Sequence, residues 1–151
     1  GALWWGLAAC GSAQLSKLVI ELVVHRRWNP KVLVETGGMP SSHSALLTGT
    51  AAALGWQQGF DSAVFALAAC MCFVVLYDAA GVRRAAGLTA TRVNSLSEPQ
   101  ADQQPLKENL GHTRLEVLVG SLIGPLVALP GLVWVGSPLL LARHWGWLPV
   151  G

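Results

Sequence analysis

The sequence predicts an all-α integral membrane protein, a bundle of four or five transmembrane helices. Three observations carry this. Of 151 residues, 52% are hydrophobic and only 12% charged, half the roughly 25% charge of a soluble domain. Mean hydropathy is +0.48. The apolar residues gather in four long segments, and the basic residues gather in two of the three connections between them. The length suits one membrane-embedded domain over residues 1–151. Seven Trp against one Tyr fit anchoring at a membrane interface. A net charge of +2 is too small for nucleic acid binding.

The first apolar segment runs from Leu3 to Val24. Gln14, Lys17, Glu21 and His25 recur within it at helical spacing and make one polar stripe. The second covers Ser44 to Gly59, short for a span of about 20 residues, so it needs its polar flanks or a re-entrant path. The third covers Ser62 to Tyr77 without a charge, and reaches Val82 if Asp78 faces inward. The fourth covers Val117 to Ala142 and is interrupted by Pro125, Pro130 and Pro138. "RRWNPK" (26–31) with Gly37-Gly38 joins the first pair, and "GWQQGFD" (55–61) is a tight turn. The polar stretch from Leu88 to Gly111 reads as a short surface helix and a loop. "GSP" (136–138) ends the fourth span and leaves a short tail with Arg143, Trp145 and Trp147. Cys10, Cys70 and Cys72 lie in apolar runs and read as small buried hydrophobes, without zinc or disulfide spacing. The first residue is Gly1, not Met, so any targeting peptide is expected to have been removed or not included.

Arg26, Arg27 and Lys31 lie between the first two segments. Arg83, Arg84, Arg92, Lys107 and Arg114 lie between the third and fourth, and the middle turn has no Lys or Arg. The positive-inside rule then places both basic loops in the cytoplasm, or on the equivalent organellar side. Anion binding is the competing use for the same cations.

The unusual polar residues fall at this basic end: "PSSH" (40–43), "YDAAGVRR" (77–84) and "KENLGHTRLE" (107–116). His112 and Glu116, four apart at a predicted helix start, share a face. Gly120 and Gly124 continue it and permit close helix contact. The pair is either a nucleophile or base with its orienting carboxylate, or a cap beside a solvated Glu. His43 sits just inside a helix start with Ser41 or Ser42 as N-cap, where free N–H groups attract anions. An ordinary Ser cap with an incidental His is the plainer reading. Lys17 lies two-thirds along the first helix, where a charge is costly and functional by default, unless it only pairs with Glu21 or Asp78. Arg83 and Arg84 either bind an anion or snorkel to the interface. Asp78 orients or neutralises one of them.

Two histidines, a carboxylate and several cations together suggest phosphoryl transfer. One His attacks phosphorus, a carboxylate orients it, the second His protonates the leaving oxygen, and cations hold the remaining oxygens. This chemistry needs no cofactor. A metal held by His43, His112, Glu116 and Asp78 is the alternative, and so many nearby cations favour an anion over it.

"GGMPSSHSA", "YDAAGVRRAAG" and "LGHTRLEVLVG" resemble the divergent branch of the type 2 phosphatidic acid phosphatase family, also described as acid phosphatase/vanadium-dependent haloperoxidase-related. The likeness runs from "AQLSK" near residue 15 into the fourth segment. It implies a membrane phosphatase acting on a lipid phosphate or isoprenoid (di)phosphate through a phosphohistidine. Carried over, His112 is the nucleophile with Glu116 in the place of an Asp, and His43 is the general acid. Lys17, Ser41, Ser42, Arg83 and Arg84 bind phosphate, with Asp78 in support. The first motif's arginine would fall at Val24, and the third motif's Ser-Arg at Pro105-Leu106. Neither matches, so Arg83 or Arg84 is expected to supply the cation. These gaps also fit a non-catalytic membrane subunit that keeps the scaffold within a larger complex. The superfamily core has six helices, so a homodimer would complete the site. The expected location is a bacterial inner membrane or an organellar (chloroplast) membrane, with the site on the cytoplasmic or stromal side.

Overall fold

The computed structural model describes residues 1–26, 28–33, 38–96, 104–137 and 145, apart from the side chains of Lys31 and Val32. Arg27, Gly37, Pro138, Arg143 and Trp147, singled out above, lie outside these residues. Among the described residues all regular structure is helical: α1 (Ala2–Val24), a 3-10 turn (Pro30–Leu33), α2 (Ser42–Gln58), α3 (Ala63–Ala80), α4 (Val82–Leu96) and α5 (Arg114–Trp134). Two hydrogen bonds fix the directions. Trp5 Nε1–H donates to the Gly136 carbonyl at 2.9 Å, tying the start of α1 to the end of α5. Ser41 N–H donates to the Glu116 carbonyl at 3.1 Å, tying the starts of α2 and α5 together. So α2 and α5 run parallel, and α1 runs against both.

α1, α3 with its continuation into α4, and α5 are each long and apolar enough to cross a membrane. The bundle is packed inside out relative to a water-soluble protein. Its innermost residues are Ala9, Ala13, Ala45, Ala53 and Ala128, while Trp4, Leu15, Leu67, Phe73 and Leu126 point outward. Water outside would make that arrangement costly. Hydrocarbon outside leaves packing of small residues as the means of association.

α2, short and comparatively polar as expected, is enclosed by protein. It is a regular 17-residue helix surrounded by α1, α3 and α5, so protein covers its Ser, Thr and Gly positions. Its closest neighbour is α5. A Cβ on Gly124 would lie 2.5 Å from Gly49 N and 2.7 Å from the Ala45 carbonyl oxygen, and one on Gly120 would strike the Ser41 carbonyl. The Gly120–Gly124 line is where the two backbones meet.

Four expectations need correction. The turn after α2 is only residues 59–62, because the helix continues to Gln58 and ends at Gly59 with φ +95°. Pro125 and Pro130 do not break α5, since neighbouring helices in a membrane bundle can satisfy the carbonyls that proline frees. The surface helix begins at Val82, directly after Gly81, not near Leu88. Cys72 is buried, but Cys10 is only half-buried and Cys70 is exposed on the outer surface.

Beyond α4 the chain folds back along it. Leu106 N–H donates to Asn94 Oδ1 at 3.0 Å, and Asn94 Nδ2 donates to the Leu106 carbonyl at 2.9 Å and to Glu108 Oε1 at 2.7 Å. Gly87 lets this strap lie close, since a Cβ there would sit 2.6 Å from the Glu108 carbonyl oxygen. The strap delivers Gly111 and His112 to the head of α5.

Candidate active site

The site is built on the N-terminus of α5. Thr113 is the N-cap. Its Oγ1 accepts from Glu116 N–H at 3.2 Å, and Glu116 Oε2 accepts from Thr113 N–H at 2.9 Å. This reciprocal capping box fixes the Glu116 carboxylate. The same Oε2 lies 3.3 Å from His112 Nδ1. His112 itself precedes the cap, so it meets Glu116 across the cap and not along a helix face as its spacing suggested. Its backbone N–H donates to the Ala79 carbonyl at the end of α3, at 3.0 Å.

Gly111 makes this junction. Its φ is +78°, and a Cβ there would stand 2.8 Å from Arg83 C and Arg84 Cα. Only glycine combines that dihedral with that contact. The head of α4 is thereby locked beside His112. The Arg83 and Arg84 side chains are exposed, and Arg83 Nε pairs with Asp78 Oδ2 at 2.6 Å.

His112 is 7% exposed. Burial pushes its pKa below the ordinary 6.5, the Glu116 hydrogen bond and charge pull it back up, and the positive charges of Lys17 and His43 push it down again, leaving it lowered. The ring is therefore neutral at neutral pH. With Nδ1–H donated to Glu116, the Nε2 lone pair is open to an electrophile.

Lys17 is 3% exposed, on the α1 face that also carries Ala9 and Ala13. It lies seven residues before the end of α1, about 10 Å of helix rise. His25 Nδ1 approaches Glu21 Oε2 at 3.0 Å, so the expected polar stripe includes a carboxylate–imidazole pair. Gln14 Nε2–H donates to the Leu33 carbonyl at 3.0 Å. At the head of α2, Ser41 is the N-cap and is fully buried, with Ser42 also buried. The Ser41 hydroxyl accepts from Ser44 N–H at 3.4 Å and from the Ser44 hydroxyl at 2.9 Å. His43, the second residue of α2, is exposed. The first N–H groups of α2 have no acceptor within the helix.

His112, Glu116, Lys17, His43 and the Ser41–Ser42 cap thus share one end of the bundle. Arg83, Arg84 and Asp78 sit on its rim. Sequence reasoning missed Thr113, Gly111 and the Ala79 carbonyl. The first was legible, because "TRLE" ahead of an apolar run is a capping-box signature. The other two depend on a tertiary junction and left no local mark.

Glu116→Gln separates the two uses of this side chain, since Gln also completes a capping box but carries no charge. The helix should stay capped, with the thermal midpoint nearly unchanged, while the His112 ring, losing the carboxylate that raises its pKa, titrates lower still. Parallel melting curves and an NMR titration of the His112 ring check this. A lower midpoint with an unmoved titration would reduce Glu116 to a cap.

Fold and site together define a helical membrane protein whose polar residues converge on a buried histidine at one end of the bundle. The chain belongs to the Divergent PAP2 family, which it matches over residues 1–127, as its three motifs indicated. It is 37% identical over 139 residues to a protein of Bacillus subtilis (strain 168) called uncharacterized membrane protein YuiD, covering 82% of this chain and 88% of that one. No solved structure matches the chain.

Proposed function

We propose that the protein is a membrane phosphatase that hydrolyses a lipid phosphate or isoprenoid (di)phosphate through a phosphohistidine at His112. One observation carries this reading: His112 is buried, and its Nδ1 faces the capped Glu116 carboxylate at 3.3 Å, which leaves Nε2 as the nucleophile. Nε2 attacks phosphorus, and the bond to the leaving oxygen breaks as His43 delivers a proton to that oxygen. His43 then takes a proton from water, whose oxygen attacks phosphorus. The P–N bond breaks and inorganic phosphate leaves. Lys17, Arg84 and the N–H groups heading α2 oppose the charge on the remaining oxygens, with Arg83 held in place by Asp78. A low-dielectric setting strengthens each of these contacts. Both basic loops lie at this end, and the positive-inside rule then favours a site on the cytoplasmic or stromal side. α2 serves as the fourth spanning helix.

Phosphate release from a panel of lipid phosphates and isoprenoid diphosphates, with purified protein in bilayers, tests the activity. No release from any of them would sink it. The Asp78–Arg83 pair at 2.6 Å, which occupies one of two clamp arginines, favours a second reading as a non-catalytic subunit of a larger complex. Vanadate separates the two: a working site is inhibited by this pentavalent mimic, and a retired one neither turns over nor binds it.

The His112 environment sets a pH dependence. Because its pKa is lowered, the neutral nucleophile persists as pH falls below 6.5, and the acid limb of kcat/KM should lie below that value. Glu116→Gln removes a raising influence, so it should move the limb further down. The folded state also binds this proton less readily than the unfolded chain. Stability should therefore decline as pH drops from 6.5 toward the folded pKa, and level off below it. An acid limb at or above 6.5 would remove His112 from the role of neutral nucleophile.

A further inference from the structure

α3 fills the bilayer without α4. Its 18 residues rise about 27 Å, against about 30 Å of hydrocarbon. The 15 residues of α4 add about 22 Å, so α4 lies outside the hydrocarbon, at the basic end of the bundle. Gly81, with φ −111° and ψ −85°, departs from helical dihedrals and breaks the axis between the two. Among the described helices α4 packs chiefly on α3, and otherwise on the strap.

The sides of α4 differ. Gly87 and Asn94 meet the strap, and Ala90 beside them is buried. Val82, Ala86, Thr89, Val93 and Leu96 are spaced alternately four and three apart and so form a second side. All five are exposed, Leu96 at 85%. Arg84, Arg92 and Ser95 share the third side with Leu88. The acids nearby are engaged. Asp78 holds Arg83 at 2.6 Å, and Glu108 accepts from Thr91 at 3.2 Å and from Asn94 at 2.7 Å. Arg84, Arg92 and Lys107 are exposed and have no carboxylate partner among the described residues.

An apolar stripe bordered by cations, just outside the hydrocarbon, has the make-up of a helix that lies in a bilayer interface. Unpaired cations there favour anionic headgroups. A second copy laid on the same stripe would bring like charges together. The helix is also tied to the site. A Cβ on Gly111 would stand 2.4 Å from Arg84 N, and the Ala79 carbonyl accepts from His112 N–H at 3.0 Å. The two sides of the Gly81 break therefore grip the Gly111–His112 turn, and lifting α4 pulls on it.

We infer that α4 lies in the headgroup layer of an anionic leaflet, with the Val82–Leu96 stripe at the acyl boundary and Arg92 and Lys107 on the headgroups, and that this seating steadies His112. The inference does not rest on phosphatase activity.

For the test, the full-length protein with Cys10, Cys70 and Cys72 changed to Ala carries one nitroxide, on Val93→Cys or on Ser95→Cys, which point to opposite sides of α4. It is placed in vesicles of phosphatidylcholine, alone or mixed with phosphatidylglycerol. Collisions with oxygen and with a nickel chelate read depth. In the mixed vesicles the label at 93 should favour oxygen and the label at 95 nickel, and the label at 93 should rise toward water when phosphatidylglycerol is left out. Arg92→Gln and Lys107→Gln should each shift the ratio of seated to lifted helix about fivefold, the worth of one cation near an anionic surface. In the protein with its own cysteines, exchange of the His112 amide hydrogen, taken relative to that of Ser41, should be roughly threefold slower in the mixed vesicles, as a steadier junction opens less often. The double variant with both Gln changes should erase that difference. Nickel access at both labels in the mixed vesicles would overturn the inference, because α4 would then stand in water. Nitroxide–nitroxide broadening at 93 that grows with protein density would overturn it too, assigning the stripe to a second copy. So would equal depth, or equal relative His112 exchange, in the two kinds of vesicle.

Discussion

His112→Ala should reduce phosphate release from a lipid phosphate at least 10³-fold, a conservative figure for removing the covalent nucleophile. The bundle should survive. The backbone N–H that donates to Ala79 at 3.0 Å is unchanged by the substitution, and the Thr113–Glu116 capping box does not involve the ring. Stability should fall by no more than about 2 kcal/mol, the usual size of a single loss at a part-polar site. His43→Ala should cost less, on the order of 10²-fold, because water can protonate a leaving oxygen where it cannot replace a covalent nucleophile. Rates on purified protein, with a melting curve for each variant, check the order of the two effects.

Gly124→Leu should be the most damaging substitution for the fold. Any side chain at 124 meets Gly49 N at 2.5 Å, the Ala45 carbonyl at 2.7 Å and the Thr48 hydroxyl. Two of these are backbone and cannot rotate away, so α2 and α5 must separate. The cost should be at least about 3 kcal/mol, the upper end for overpacking. Separation also withdraws the head of α2 from His112, so activity should fall with stability. Gly11→Leu is the control. Gly11 has nothing within 4 Å of a built Cβ, and a larger apolar residue there faces lipid and should change stability by less than about 0.5 kcal/mol. The midpoint of unfolding in mixed detergent micelles reads both. Equal midpoints for the two variants would contradict the close α2–α5 contact.

The helices were legible because hydrocarbon outside forces long apolar runs, and these survive in one dimension. α1 and α3 fall almost where the runs do. α2 was legible only as a defect, a segment too short and too polar for lipid. Its place at the centre of the bundle explains that composition and could not be read from it. The apolar run of α5 begins at Val117, but the helix start was placed at His112, and α5 begins at Arg114. The capping box at Thr113 and Glu116 sets that start, a short polar signal that an apolar window overlooks.

In the site, residue types were more legible than their arrangement. Lys17 stood out as a charge within an apolar run, and the structure buries it. The His112–Glu116 spacing suggested a shared helix face, while the contact arises across a cap. The role of Gly111 depends on Arg83 and Arg84, nearly thirty residues earlier in the chain, and no local pattern encodes that. Ser41 read as either a cap or a phosphate ligand, and the structure shows its hydroxyl engaged within the cap.

The central claim is covalent, so the most direct measurement is of the covalent species. Turnover of a ³²P-labelled substrate from the panel is quenched in alkali, which preserves phosphoramidates, and the protein is digested and its labelled peptide identified. Label on the peptide containing His112 in the wild type, and none in His112→Ala, is the expected result. Phosphate release with label on another residue, or release at the same rate by both proteins, would contradict a phosphohistidine at His112.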